Sequence, residues 1–231
     1  MIFVGILDTE GVSRFEKELL ENIPGDVVSR IKNTHSERER ALKIGAYSLL
    51  SRLYKIKRSG AELPQILYTD AGKPYFAGSE NENNYLHFSI SHDKNVAVVA
   101  IGDTPVGVDV QSMPKRRISL EGIAKRFFAS QTLSPTPEIS SAIEPEAEYF
   151  YFGIKDGEFC ELEASDFSPR EISLDEARGD FLARWTLLEA NLKMTGTGFS
   201  GDGLRKKETE NKTKTVFITR KNELFALTVC I

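Results

Sequence analysis

The stretch Phe88 to Gln111, FSISHDKNVAVVAIGDTPVGVDVQ, decides the fold. Its first part completes a hairpin, YLHFSIS and NVAVVAIG joined by HDK, and PVGVDVQ then opens a second series of elements. Upstream, MIFVGIL reads as a strand. It is followed by a helix, SERERALKIGAYSLLSRLYKI, in which Leu42, Ala46, Leu49, Leu50 and Leu53 recur at helical spacing. Ser36 is its N-cap, with Glu39 at the capping-box position. Downstream of PVGVDVQ come a helix, DFLARWTLLEANLKM, and a terminal hairpin, KTVFITRKNELFALTVCI, turning at RKNE. The order strand, helix, hairpin therefore occurs twice. This predicts an α+β protein made of a pseudo-twofold pair of similar α+β halves, residues 1–102 and 103–231, with a cleft between them. A turn is expected at DAGKP, Asp70 to Pro74. An insertion at about 130–178 contains the Ser-, Pro- and Glu-rich SQTLSPTPEISSAIEPEAE and a small hairpin, YFYFGIKDGEFCELE, with a Lys-Asp-Gly turn signal.

The composition of the 231 residues, 40% hydrophobic and 28% charged, is that of a soluble globular protein. A formal net charge of −4 argues against a general attraction to nucleic acid or to an anionic membrane. The two cysteines, Cys160 and Cys230, lie far apart with no CxxC or His/Cys cluster, so neither a disulfide framework nor a zinc site is expected, and a reducing cytoplasm fits. MIFVGIL meets Asp8 and Glu10 at once and has no basic leader, which reads as a strand and not a signal peptide. No apolar run approaches the roughly 20 residues of a membrane span.

In VGVDVQ the period of two sets Val106, Val108 and Val110 on one face and Gly107, Asp109 and Gln111 on the other. Side chains two apart on a strand stand roughly 7 Å apart at Cα, so Asp109 and Gln111 can converge on one hard cation such as Mg²⁺, which takes oxygen ligands. The plain alternative is a half-exposed strand with polar outward positions. Gly107 would let a ligand approach the backbone. In the second helix Phe181, Trp185, Leu188 and Leu192 form an apolar stripe, and Glu189 and Lys193 share its flank one turn apart. That pair is either a site carboxylate with its ammonium or an ordinary ion pair worth about 0.2 to 0.5 kcal/mol. Ser91, His92 and Asp93 are consecutive and cannot fold onto one another as a nucleophile triad.

Five segments in order, GKP at Gly72–Pro74, FSISH at Phe88–His92, VGVDV at Val106–Val110, AKRFF at Ala124–Phe128 and WTLLEANLKMTGTG at Trp185–Gly198, resemble the Sfp-type 4'-phosphopantetheinyl transferases. The resemblance implies that fold and a Mg²⁺-dependent enzyme, with Mn²⁺ as a substitute. Such an enzyme moves the 4'-phosphopantetheine group of coenzyme A to a serine of an apo acyl or peptidyl carrier protein and releases 3',5'-ADP. By the same resemblance Asp109, Gln111 and Glu189 hold the metal, Glu189 also takes the serine proton, and Lys193 holds phosphate. Lys73, Ser91 and His92 meet the nucleotide end or pyrophosphate, and Arg40 meets the 3'-phosphate, with Arg38 in its place if the helix is shifted by a turn. Arg30 and Lys32 are further nucleotide candidates. The basic stretch Lys115, Arg116, Arg117, Lys125 and Arg126 would steer an acidic carrier. Two positions depart from the family: Leu188 stands where Lys is common, and Gln111 where close relatives carry Glu. They motivate the alternative of a catalytically degenerate coenzyme A or carrier-protein binding protein.

Overall fold

The structure, a computed structural model, describes residues 1–78, 85–113, 147–169, 177–198 and 212–231. The basic stretch from Lys115 to Arg126, the AKRFF motif and most of the Ser/Pro/Glu-rich segment lie outside these residues.

Alternation along the strands sorts the core into layers. Strand β1 (Ile2–Asp8) sits in a mixed sheet of order β4-β5-β1-β7-β8, with β4 (His87–Asp93), β5 (Val96–Gly102), β7 (Ala147–Lys155) and β8 (Glu158–Glu161). Ala97, Val99 and Ile101 of β5 face one side of this sheet, where helix α3 (Glu37–Lys57) lies over it with α1 (Glu16–Leu20) and α2 (Gly25–Lys32). The expected α3 stripe of Leu42, Ala46, Leu49, Leu50 and Leu53 is buried, and Ser36 caps the helix by accepting the Glu39 N–H at 3.3 Å. Ile2, Val4, Ile6, Val96, Val98 and Ala100 face the other way. There they meet Val106, Val108 and Val110 of β6 (Gly107–Ser112) with its lead-in residue, and Phe225, Leu227 and Val229 of β11 (Glu223–Cys230). Each fully buried Val, Leu, Ile or Phe among them contributes about 1.5 to 3 kcal/mol.

The second sheet has the order β6-β11-β10-β9, all antiparallel, with β9 (Ser168–Pro169) and β10 (Thr213–Arg220). Helix α4 (Ala177–Thr195) covers its outer face. The layers thus run α3, first sheet, second sheet, α4. A separate ribbon of β2 (Ile66–Tyr68) and β3 (Pro74–Phe76) carries the expected Asp70–Pro74 turn. The protein is α+β, as the sequence pattern indicates, and among the described residues no helix is long and apolar enough to cross a membrane.

Three details differ from the pattern reading. His92 and Asp93 belong to β4, and the hairpin turns at Lys94–Asn95 instead of at HDK. The hairpin at Lys155-Asp156-Gly157 forms as β7–β8, and β7 pairs in parallel with β1, so it is part of the first sheet. The buried face of α4 consists of Leu182, Ala183, Thr186, Ala190, Leu192 and Met194, while Phe181, Trp185 and Leu188 are half-buried. Ala183, Thr186 and Ala190 are the fully buried members of that face, as suits a helix lying very close to the sheet.

Gly107 shows how close. A Cβ on it would stand 2.0 Å from the Ala190 carbonyl oxygen and 2.8 Å from Met194 Cβ, so what approaches its backbone is α4 and not a ligand. Gly107→Ala must lift the helix. Overpacking of this kind costs about 1 to 3 kcal/mol, which for a chain of this size lowers the thermal midpoint by roughly 2 to 12 °C. A scanning-calorimetry midpoint equal to that of the natural protein would contradict this packing.

Candidate active site

The second sheet and α4 bring together the two carboxylates that the sequence singles out. Asp109 is fully buried beneath α4, so the half-exposed strand is not what forms. A carboxylate taken from water costs several kcal/mol unless it is paired. Here its Oδ1 accepts the Ser91 hydroxyl at 2.7 Å and the Lys193 ammonium at 2.7 Å. Its Oδ2 is buried and has no hydrogen-bond donor.

Glu189 lies within hydrogen-bonding reach of the Asp109 carboxyl. Burial first, and the Asp109 charge second, push its carboxyl up from an ordinary 4.5 to about 7, against the opposing pull of Lys193 and of a hydrogen bond with Trp185. Two ionised carboxylates cannot donate to each other, so the pair calls for a proton or a cation. Among the described residues no group of three or more His, Cys, Asp or Glu gathers. Two carboxylates nevertheless suit Mg²⁺, which keeps waters and substrate phosphates as its other oxygen ligands. The orphaned Asp109 Oδ2 and the all-oxygen set fit such an ion.

Two hollows flank this cluster. One, of about 240 Å³, is walled by Lys73, Phe88, Ile90, Glu189, Leu192 and Lys193. Lys73 crosses it to donate to the Met194 carbonyl at 2.7 Å, satisfying a carbonyl of the last turn of α4, and burial holds its ammonium pKa below the ordinary value. The other, of about 750 Å³, is walled by Arg30, Glu39, Lys43, Tyr47, Tyr68 and His92. Gly72, Pro74 and Ile90 line both, so the two adjoin at the Asp70–Pro74 turn. Arg30 stacks over the Tyr68 ring at 3.9 Å, and the Tyr47 and Tyr68 hydroxyls are 2.9 Å apart. Burial, then the nearby Lys193 charge, keeps the His92 imidazole below its usual pKa.

Of the residues singled out from the sequence, Asp109, Glu189, Lys193 and Ser91 are brought into one cluster, and Lys73 and His92 stand in the adjoining walls. Gln111 follows Asp109 on the same strand face, half-buried. Arg40 is not brought to the others: its guanidinium pairs with Glu16 at 3.4 Å. Arg38 and Lys32 are exposed and line neither hollow. Lys43, four residues after Glu39, faces the larger cavity instead, together with Arg30. Trp185, read from the sequence as part of an apolar stripe, is a partner of Glu189. The spacing of four from Trp185 to Glu189 to Lys193 is the sequence signal for this shared flank.

No protein-family model matches the chain. Three curated relatives do. The chain is 32% identical over 104 residues to "4'-phosphopantetheinyl transferase ffp" of Bacillus subtilis, covering 45% of this chain and 41% of the relative. It is 31% identical over 104 residues, with the same shares, to "4'-phosphopantetheinyl transferase Sfp" of Bacillus subtilis (strain 168). A further Bacillus subtilis "4'-phosphopantetheinyl transferase" is 32% identical over 80 residues, 35% of this chain and 32% of the relative. The chain thus spans about two-fifths or less of the length of the curated relatives it matches. The resemblance to Sfp-type 4'-phosphopantetheinyl transferases read from the motifs is thereby shown.

The raised Glu189 pKa has a signature in metal-free protein. The folded state binds this proton more tightly than the unfolded chain, so the group's contribution to stability is full below about 4.5 and is lost as the pH rises through about 7. The thermal midpoint of the natural protein, measured against Glu189→Gln in the presence of chelator, should fall across that window. A difference that stays flat from pH 4.5 to 8 would show that Glu189 titrates normally.

Proposed function

We propose that the chain transfers the 4'-phosphopantetheine group of coenzyme A to a serine hydroxyl of an apo acyl or peptidyl carrier protein, releasing 3',5'-ADP, in the cytoplasm. The observation that carries this reading is the buried Asp109 carboxylate, one oxygen paired with Lys193 and the other without a donor, in reach of the Glu189 carboxyl, which burial pushes up from its ordinary pKa. Similarity to proteins named 4'-phosphopantetheinyl transferases supports it independently. The fold reading that goes with it is two similar halves, 1–102 and 103–231, facing each other across a cleft. In support, each sheet carries one long helix, and the smaller hollow is walled from both halves.

In the reaction the serine oxygen forms a bond to the β-phosphorus as the bond from that phosphorus to the bridging pyrophosphate oxygen breaks, and the electron pair leaves with 3',5'-ADP. Glu189 accepts the serine proton as general base from within reach of the Asp109 carboxyl. Asp109 and Glu189, with Gln111 beside them, would hold Mg²⁺ or Mn²⁺, which when bound supplies positive charge against the pyrophosphate. Lys193 and Lys73 present ammonium groups to the phosphate oxygens from two walls of the smaller hollow. The larger cavity, at about 750 Å³, is of the size that takes a nucleotide-sized ligand. His92, Arg30 and Lys43 face it, and Arg40 would join them only by leaving Glu16. Recognition of an acidic carrier is assigned to the basic stretch Lys115–Arg126. The non-catalytic alternative gains no support from the site, because Asp109, Glu189 and Lys193 converge without help from position 188.

Incubation with coenzyme A, Mg²⁺ and a panel of apo carriers, followed by mass spectrometry of the carriers, tests the activity. The natural protein should add the phosphopantetheine mass to at least one carrier. Asp109→Ala and Glu189→Ala should each slow this by about 10²- to 10³-fold, with circular dichroism showing that they remain folded. A folded variant that transfers at the natural rate would remove the proposed roles, and a natural protein inactive on every carrier would remove the function.

A further inference from the structure

Three side chains of β4 serve the edge of β6 in the same way. Ser89 Oγ accepts the Val108 N–H at 3.1 Å, Ser91 Oγ the Val110 N–H at 3.1 Å, and Asp93 Oδ2 the Ser112 N–H at 2.7 Å. Ser91 alone among them also reaches Asp109. A serine hydroxyl has one proton to give, and Ser91 gives it to Asp109 Oδ1 at 2.7 Å. Lys193 arrives on that same oxygen at 2.7 Å, so both donors converge on Oδ1 while the buried Oδ2 receives none. A carboxylate held by two donors on one oxygen resists the rotation that would exchange its oxygens.

We propose that Ser91 is a positioning residue for the cation site: by holding Asp109 Oδ1, it keeps Oδ2 free and fixed as the oxygen that binds a divalent cation. This rests on the reading of Asp109 and Glu189 as cation ligands. It also withdraws the Ser91 hydroxyl from the nucleotide, since its proton is engaged and the side chain is buried.

Mn²⁺ titration of the full chain, followed by electron paramagnetic resonance without coenzyme A or carrier, tests this, with thermal midpoints measured in parallel. Ser89→Ala is the matched reference, because it removes the same kind of rung without touching a carboxylate. Both serine variants should lose similar thermal stability. Ser91→Ala should bind Mn²⁺ roughly tenfold more weakly, as loss of a ligand-orienting partner does, and Ser89→Ala should stay within about twofold of the natural protein. If Ser91→Ala does not fold, Ser91→Cys, of similar size with a weak S–H donor, is read in the same way. Equal Mn²⁺ affinity in the two serine variants would overturn the role of Ser91 and leave the cation site standing. Mn²⁺ binding that is absent in the natural protein, or unchanged in Asp109→Asn, would overturn both.

Discussion

The register between β4 and β6 is the constraint on which the site depends. β6 pairs with β11 along one edge only, so the N–H groups of Val108, Val110 and Ser112 on its other edge need acceptors elsewhere. Left buried and unmet, each would cost about 1 to 3 kcal/mol. Ser89, Ser91 and Asp93 supply the acceptors at the same period of two. A slip of one residue would turn Ile90 and His92 toward that edge and lose all three bonds at once. The side-chain ladder therefore joins the edges of two sheets and fixes the height of Asp109 against β4. Ionic ties brace the same junction elsewhere: Arg220 of β10 grips the buried Asp8 at the end of β1 at 2.8 Å, and Lys94 in the β4–β5 turn pairs with Glu223 of β11.

The other half of the site comes from α4, and its approach is set by what is missing from side chains. Gly107 offers no Cβ, and Ala183, Thr186 and Ala190 are fully buried on the contact face, so the helix backbone can lie against β6. The flank carrying Trp185, Glu189 and Lys193 is thereby lowered onto Asp109. A bulkier contact face would leave Asp109 closer to water, screen its charge from Glu189, and return the glutamate toward its ordinary acidity. The elevated Glu189 pKa is thus a consequence of packing as much as of charge.

Much of this is legible in the sequence because it is periodic. The α3 stripe, the Ser36 cap, the RKNE hairpin and the alternation in VGVDVQ all follow from local repeats that the structure retains. Asp109, Glu189 and Lys193 stand out for the same reason, as polar groups set beside apolar periods. What local pattern does not carry is the partner of each face. Nothing in HFSISHD says that its serines serve a strand in another sheet, nor that the polar face of β6 is covered by a helix. Of the stripe Phe181, Trp185, Leu188 and Leu192 only Leu192 is buried, because hydrophobicity ranks large side chains first, whereas the closest part of the helix–sheet contact takes small ones, Ala183, Thr186 and Ala190. Arg40 likewise looks free in the sequence, since its partner Glu16 lies 24 positions away.

The same packing gives the two departures from the family a physical reading. An acid at position 111 would add a like charge roughly 7 Å along the strand from Asp109, next to a pair whose repulsion already raises Glu189. In the metal-free cluster the added charge would push that carboxyl higher still. Gln111 keeps an oxygen at the position without that penalty. Leu188 lies about 100° around the helix from Glu189, half-buried and off the flank that meets Asp109. Its apolar side chain leaves Lys193 as the cation that α4 presents to the carboxylates, and two carboxylates with one ammonium leave a single negative charge. Asp109 and Glu189 would hold a divalent cation against that residual charge, and the cation would supply positive charge toward a pyrophosphate.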